Sequence, residues 1–288
     1  MSNNLSDLTG RKGIQENLFF KIVQSAAEAD GTPPLEELDR LADEFLIGKA
    51  NIYGSATFYD FLKPENQGKK VYVCNGSACL CAGTQDTLIA ELKGKFKDEE
   101  IGHMTCLGRC HENGAFHYDG KNYSALDSDG FESVFKGEGQ NQDKYVVEAL
   151  GEAVLTAPFE GMESYAELLK AALAKDSADV LEEVKAAGVR GRGGAGFPMG
   201  VKWEFARNAE SELKFIICNA DEGDPGAYTD RYLLEQQPHA VLFGMMIGGY
   251  CMKAEWGVLY IRAEYPESFP IIEAAIEDFR KAGLLGED

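Results

Sequence analysis

Five of the chain's seven cysteines crowd between Cys74 and Cys110. Two pairs stand out, Cys74-x4-Cys79 and Cys106-x3-Cys110, each following a short β-rich run, "KKVYVCNG" and "IGHMTCLG". Two such strands side by side bring the loops after them to one end of a sheet, where four thiols converge. Four thiolates suit a two-iron two-sulfur cluster. Zinc sites favour a two-residue spacer, which makes zinc the second reading and four buried free cysteines the third. In a reducing compartment such a cluster points to metal before disulfide. Cys81, two residues beyond Cys79, stands as an alternative ligand, whereas Cys218 and Cys251 lie in apolar runs and read as core.

The surroundings of the cysteines have a recognisable order. "IQENLFFKIVQSAAEA" and "PPLEELDRLADEFL" are helical by period, the second with Pro34 suited to a first turn. After the first strand, "TQDTLIAELKGKF" is an amphipathic helix. "AFHYDGKNYSAL" reads as a hairpin turning at Asp119-Gly120, a favoured type I′ pair, and "DSDGFESVFKG" as a closing helix. This β-α-β-β-α order is the C-terminal part of a thioredoxin-like layout. The polar stretch "GEGQNQDK" is a linker candidate.

Beyond it come helices at "ESYAELLKAALAK" and "SADVLEEVKAAG", the latter with a serine cap and Gly188 at its end. "VRGRGGAGFPMGVKWEF" follows, in which Gly191, Gly193 and Gly196 fit G-x-G-x-x-G. The dinucleotide fingerprint needs a strand before it. Here a helix precedes it, so this is not an ordinary Rossmann turn. A glycine loop opening a helix still lets backbone N–H groups approach a flat ring or a phosphate. Arg192, Phe197, Pro198 and Trp203 argue against a flexible linker. "KFIICNADEGDPGAYTDR" is a strand running into an acidic loop; an apolar helix, the strand "WGVLYIRAEY" and a last helix complete the chain.

The formal net charge of −20 opposes binding to nucleic acid or to a membrane surface, both anionic. With no run of 18 apolar residues and no apolar core in "MSNNLSDLTGRKG", the reading is a cytoplasmic protein without direct membrane insertion.

"YGSATFYDFL", "VCNGSAC" and "CLGRC" together resemble the thioredoxin-fold iron–sulfur subunit of respiratory complex I, over Gln15 to Lys136. The 26 residues between the cysteine pairs are fewer than that family leads one to expect. "GRGGAGFPMGVKW", "CNADEGDPGAYTDR" and "YIRAEYP" are similar to the flavoprotein subunit of complex I, over Tyr165 to Leu285. That family also supplies the diaphorase subunit of NAD-reducing hydrogenases, NAD-dependent formate dehydrogenases and electron-bifurcating hydrogenases. The resemblance implies an α/β chain: an N-terminal helical segment and a thioredoxin-like [2Fe-2S] domain (1–136), a linker (137–160), and an incomplete Rossmann-like FMN- and NADH-binding domain (161–288). It also implies that Gly191, Arg192, Gly193, Gly194 and Gly196 line the flavin site. Lys202 would face the FMN phosphate and ribityl chain, with Asn219, Asp221, Glu222 and Asp224 as polar cofactor contacts. Phe197 and Phe205 would stack on the adenine of NADH. Asp224 stands where the family often has Glu, a form associated with the formate dehydrogenase and bifurcating branches.

The activity so implied is an NADH dehydrogenase module passing electrons between NAD(H), FMN and iron–sulfur clusters inside a multisubunit hydrogenase or formate dehydrogenase. Fusion of the two modules in one chain points away from complex I proper. A complex I type quinone-linked flavoprotein is the alternative, and a non-catalytic [2Fe-2S] electron-transfer module or a zinc-binding regulator the rivals from other classes. No side chain is needed as acid or base in hydride transfer, so His103, His111, His117 and His239 are read as structural. The resembling flavoproteins continue past Asp288 into a further flavin segment and a domain holding a [4Fe-4S] cluster. The expectation is therefore of an N-terminal portion with an intact first cluster, weak FMN retention in isolation, and uncovered apolar surface around "VLFGMMIGGY".

Overall fold

A computed structural model describes residues 16–29, 33–139, 144–262 and 264–286, in two compact units, Met1–Asp143 and Lys144–Asp288. The N-terminal "MSNNLSDLTGRKG" lies outside the described residues.

The first unit opens with three helices, α1 (Glu16–Glu28), α2 (Leu35–Phe45) and α3 (Lys49–Phe58). Leu18, Ile22 and Ala26 recur at the four-residue spacing that lines one helix face. They meet Leu38, Leu41 and Phe45 of α2 and Ile52 and Ala56 of α3. Pro34 sits one position before the expected first turn, as the cap of α2 with extended backbone.

A four-stranded sheet follows, built from β1 (Val71–Cys74), β2 (Ile101–Met104), β3 (Phe116–Tyr118) and β4 (Lys121–Tyr123) in the order β2-β1-β3-β4. β1 and β2 run parallel, from Val71 opposite Ile101 to Cys74 opposite Met104. The β3–β4 hairpin turns at Asp119 (φ 48°) and Gly120 (φ 76°), both positive as a type I′ turn requires. The crossover from β1 to β2 contains α4 (Ser77–Ala82) and α5 (Gln85–Lys93), and α6 (Ser128–Val134) closes the unit. Val71, Val73, Leu92, Phe116 and Phe131 form its core.

Buried Asn66 joins the helical segment to the sheet. Its Nδ2 donates to the Asp60 carbonyl (2.8 Å) and the His103 carbonyl (2.7 Å), and its Oδ1 accepts from the His103 amide (3.0 Å).

The second unit contains α7 (Met162–Leu173), α8 (Ser177–Ala186), α9 (Met199–Asn208), β5 (Phe215–Ala220), α10 (Thr229–Gln236), α11 (Pro238–Met252), β6 (Trp256–Ile261) and α12 (Ser268–Lys281). The cap of α8 is Asp176 rather than the expected serine: its carboxylate accepts from the Ala178 amide at 2.8 Å, and Ser177 is already helical. β5 and β6 pair in parallel, Phe215 opposite Trp256 through Ala220 opposite Ile261. Strand alternation sends Cys218, Ala220, Leu259 and Ile261 against Leu234, Val241 and Ile272 of the helices. It leaves Phe215, Ile217, Trp256, Val258 and Tyr260 exposed on the other face.

That sheet face is where apolar surface is uncovered. The segment "VLFGMMIGGY", expected to be under-covered, belongs to α11, whose Leu242 is buried and whose Phe243, Met245 and Met246, partly buried, pack against the cluster around Phe279. The helix occupies the one sheet face that is covered, so the deficit falls on the opposite face.

Residues 140–143 of the linker candidate lie outside the described residues. The chain after them is docked on the second unit: Tyr145 Oη donates to Glu235 (2.6 Å), Gln237 Nε2 donates to the Ala157 carbonyl (2.9 Å), and the Phe159 ring stacks on His239 at 4.2 Å.

Asn66→Ala is expected to destabilise the first unit by about 1–3 kcal/mol, because it strands partly buried backbone groups of His103. Urea denaturation followed by far-UV circular dichroism measures the loss; an unchanged midpoint would contradict this role for Asn66.

Candidate functional site

Parallel pairing of β1 with β2 places Cys74 and the Cys106–Cys110 loop at the same end of the sheet. Cys74, Cys79 and Cys106 are buried and Cys110 is partly so, while Cys81 is exposed on α4. The thiols come in pairs. The sulfurs of Cys106 and Cys110 lie 3.7 Å apart. Cys74 and Cys79 share a hydrogen bond that, together with burial, raises Cys74 above the usual thiol range and lowers Cys79. Among the described residues no three or more of His, Cys, Asp and Glu gather round one point as a single-ion site.

Backbone amides converge on the first pair. The Gly76 amide donates to the Cys74 sulfur at 3.3 Å, and the backbone amides of Leu107, near Cys74, and Ala115, near Cys79, favour the thiolate forms. A Cβ on Gly76 would stand 2.7 Å from the Thr105 carbonyl oxygen, so only glycine lets the two cysteine loops approach this closely. The donor set fits a two-iron two-sulfur cluster: two sulfur pairs, one for each iron, with N–H groups directed at the sulfurs.

Polar contacts, some of them buried, hold the second loop in place. Its Thr105 amide donates to the Asp60 carboxylate (2.5 Å), Asn122 Nδ2 donates to the Leu107 carbonyl (3.1 Å), and the Gly114 amide donates to Thr84 Oγ1 (3.1 Å). Gln85 Nε2 donates to the Cys74 carbonyl. Arg109, inside the loop, is fully buried and paired with Glu112. Sequence reasoning named the cysteines and passed over Asp60, Asn66 and Arg109; the one available signal was a charged residue inside "CLGRC".

In the second unit the glycine loop is pinched shut at its base. The Gly191 amide donates to the Phe197 carbonyl (2.8 Å), the Met199 amide to Val189 (2.9 Å), and an Arg190 guanidinium N–H to Gly196 (2.9 Å). Above the base Gly193 and Gly194 are open: a Cβ on either would meet nothing within 4 Å, and Gly194 has φ +108°. The first turn of α9 follows at once, with the positive end of its dipole at the loop. Gly191, Arg192, Gly193, Gly194, Lys202, Phe197 and Phe205 are exposed and Gly196 partly so; the two phenylalanine rings lie 6.3 Å apart.

The "CNADEGD" loop leaves the carboxyl end of β5. Asn219, Asp221 and Asp224 are exposed, and Asn219 Oδ1 accepts from the Asp221 amide (3.2 Å). Glu222 supports the loop from beneath. Its carboxylate accepts from the Asp230 amide (3.1 Å), the Arg231 amide (3.3 Å) and Tyr265 Oη (3.1 Å), and its carbonyl accepts from Arg262 (2.8 Å). Below lies a buried network that the sequence reading missed. Arg231 pairs with Glu235 (2.9 Å) and Glu267 (3.3 Å), and Ser268 Oγ donates to Glu235 (2.8 Å). The open glycine cradle, the helix terminus and the polar edge of a parallel strand suit a phosphate-bearing flavin.

Residues 8–137 match the thioredoxin-like [2Fe-2S] ferredoxin family and residues 184–285 the Nuo51 FMN-binding domain. The chain thus carries one stretch similar to each of these two families, and it resembles the diaphorase flavoproteins of the complex I-like family in the form that carries an N-terminal thioredoxin-like domain. It is 28% identical to the NAD-reducing hydrogenase HoxS subunit alpha of Cupriavidus necator over 99% of its own length and 52% of that protein's. It is 51% identical to the NADP-reducing hydrogenase subunit HndC of Solidesulfovibrio fructosivorans over 38% of this chain and 22% of that one. A crystal structure of an air-oxidised NAD+-reducing [NiFe]-hydrogenase superposes with a TM-score of 0.59 and 26% identity, covering 93% of this chain and 49% of the other. The chain thus spans about half the length, or less, of these relatives. Among the described residues no helix is long and apolar enough to cross a membrane.

Asp230 supplies a pH test of the loop. Burial and the neighbouring Glu222 raise its pKa above the ordinary carboxylate value. A raised folded pKa means that its contribution to stability is full below pH 4 and is lost as pH rises through the folded value. Asp230→Asn is therefore expected to raise the melting temperature at pH 7, with the gain disappearing below pH 4. A lower melting temperature at pH 7 would show that the charge is welcome there.

Proposed function

We propose that this chain is the NAD(H)-oxidising part of a multisubunit redox enzyme of the hydrogenase or formate dehydrogenase type, working in the cytoplasm. The observation that carries the reading is a paired-thiol site and an open glycine cradle on one polypeptide. A hydride carries two electrons and an iron–sulfur cluster accepts one. FMN supplies the conversion between the two when bound.

The chain's own residues supply binding and orientation. Gly193 and Gly194 leave backbone accessible to a ring and a phosphate, Gly191 and Gly196 shape the base of the same loop, and Lys202 adds a cation on the first turn of α9. Asn219, Asp221 and Asp224 offer polar contacts at the strand edge, with Glu222 holding their loop. Phe197 and Phe205 offer stacking faces for an adenine. Cys74, Cys79, Cys106 and Cys110 are the proposed cluster ligands, and Cys81 is left outside the set. Electrons would leave through partner iron–sulfur and hydrogenase or formate dehydrogenase subunits.

The test uses the protein isolated anaerobically together with its natural partners. Flavin, iron and acid-labile sulfide are quantified, and NADH is expected to bleach the flavin absorbance. In Gly194→Val a branched side chain occupies the open cradle at a positive φ that valine rarely adopts. Flavin retention is expected to fall at least about tenfold (about 1.4 kcal/mol or more), with the [2Fe-2S] spectrum intact. Full flavin content in that variant would remove the glycine-loop assignment.

A further inference from the structure

Arg109 lies between Cys106 and Cys110 and is 1% exposed. Its Nε donates to Ser124 Oγ (2.7 Å) and one terminal nitrogen donates to Glu112 Oε2 (2.8 Å). Ser124 Oγ in turn donates to the same carboxylate oxygen (2.6 Å), and His111 Nε2 stands 3.8 Å from it. Both charged side chains are withdrawn from water, with side-chain exposures of 0% and 6%. A buried ion pair is a poor way to hold a loop, because apolar groups of similar volume do so as well without the desolvation cost. Asn122, Asp60 and Thr84 already anchor this segment by hydrogen bonds. Charge at this position therefore calls for an electrostatic reason.

We propose that Arg109 and Glu112 act in opposite directions on the reduction potential of the cluster held by the flanking cysteines, Arg109 favouring the reduced state and Glu112 opposing it, so that the intact pair leaves the two effects balanced. The inference rests on the cluster reading above. A thiolate-ligated cluster is negatively charged and gains one more negative charge on reduction. Amide donors meet the Cys74–Cys79 pair, and the Cys106–Cys110 pair lies on the loop that contains the guanidinium. In a low-dielectric interior a fixed charge is screened far less than at the surface. Removing Arg109 takes a positive charge away from the loop and penalises the added electron. Removing the Glu112 charge does the reverse.

The experiment compares the wild-type full chain with R109Q, E112Q, R109Q/E112Q and R109K, purified anaerobically. Iron and sulfide content is measured first, and then each loaded protein is titrated with the reduced-cluster EPR signal as readout. At a fixed solution potential the reduced-to-oxidised ratio is expected to fall about tenfold in R109Q and rise about tenfold in E112Q, each a shift of about 59 mV for one electron. The double variant and R109K are expected to titrate near wild type. A purely structural role moves both single variants in the same direction or leaves both unmoved, and either result would overturn the proposal. If R109Q loses its cluster, E112Q and R109K decide: a wild-type potential in E112Q overturns the inference, and a raised one supports it. A wild-type chain with neither iron nor an EPR signal would sink the cluster reading and this inference with it.

Discussion

The parallel ladder between β1 and β2 is the interaction on which the first unit depends. Parallel strands need a crossover, and α4 and α5 supply it. Because both strands point the same way, Cys74 and Cys106 emerge from one sheet end instead of opposite ends. An antiparallel pairing of the same two segments would separate the thiol pairs by the length of a strand. Side-chain contacts then fine-tune what topology delivers: Asp60 and Asn66 tie the helical segment to β2 and its loop, and the bare backbone of Gly76 allows the close approach.

The second unit uses a related principle with less material. One parallel pair, β5 and β6, carries a loop at the carboxyl end of β5, and helices cover one face only. Parallel sheets are ordinarily covered on both faces, and here Phe215, Ile217, Trp256, Val258 and Tyr260 form an exposed apolar stripe. Beneath the "CNADEGD" loop a largely buried network of Arg231, Glu235, Glu267, Arg262 and Glu222 links α10 to the segment between β6 and α12. Breaking a buried pair of this kind costs about 3–5 kcal/mol, more than most apolar truncations in so thin a core.

Much of this was legible in the amino-acid sequence, for identifiable reasons. The strand–cysteine–helix order and the Asp119-Gly120 turn carry local signals, period-two and period-3.6 patterns and a residue pair suited to positive φ. What escaped notice is long-range. Asn66 reaches His103 across 37 residues, and Arg109 reaches Ser124 across 15; neither partner can be read from its neighbours in sequence. A sheet short of strands was expected to leave "VLFGMMIGGY" under-covered. Yet which face of a sheet is covered depends on packing, and the helix took the covered face. The cap of α8 moved by one residue because Asp176 and Ser177 are both competent caps, and only backbone geometry chooses between them.

Iron-edge anomalous diffraction from crystals of the anaerobically purified protein tests the central claim most directly. The account predicts two iron peaks, one bonded to the sulfurs of Cys74 and Cys79 and the other to those of Cys106 and Cys110, with Cys81 unligated. A single tetrahedral zinc at these cysteines, or an iron bonded to Cys81, would contradict it.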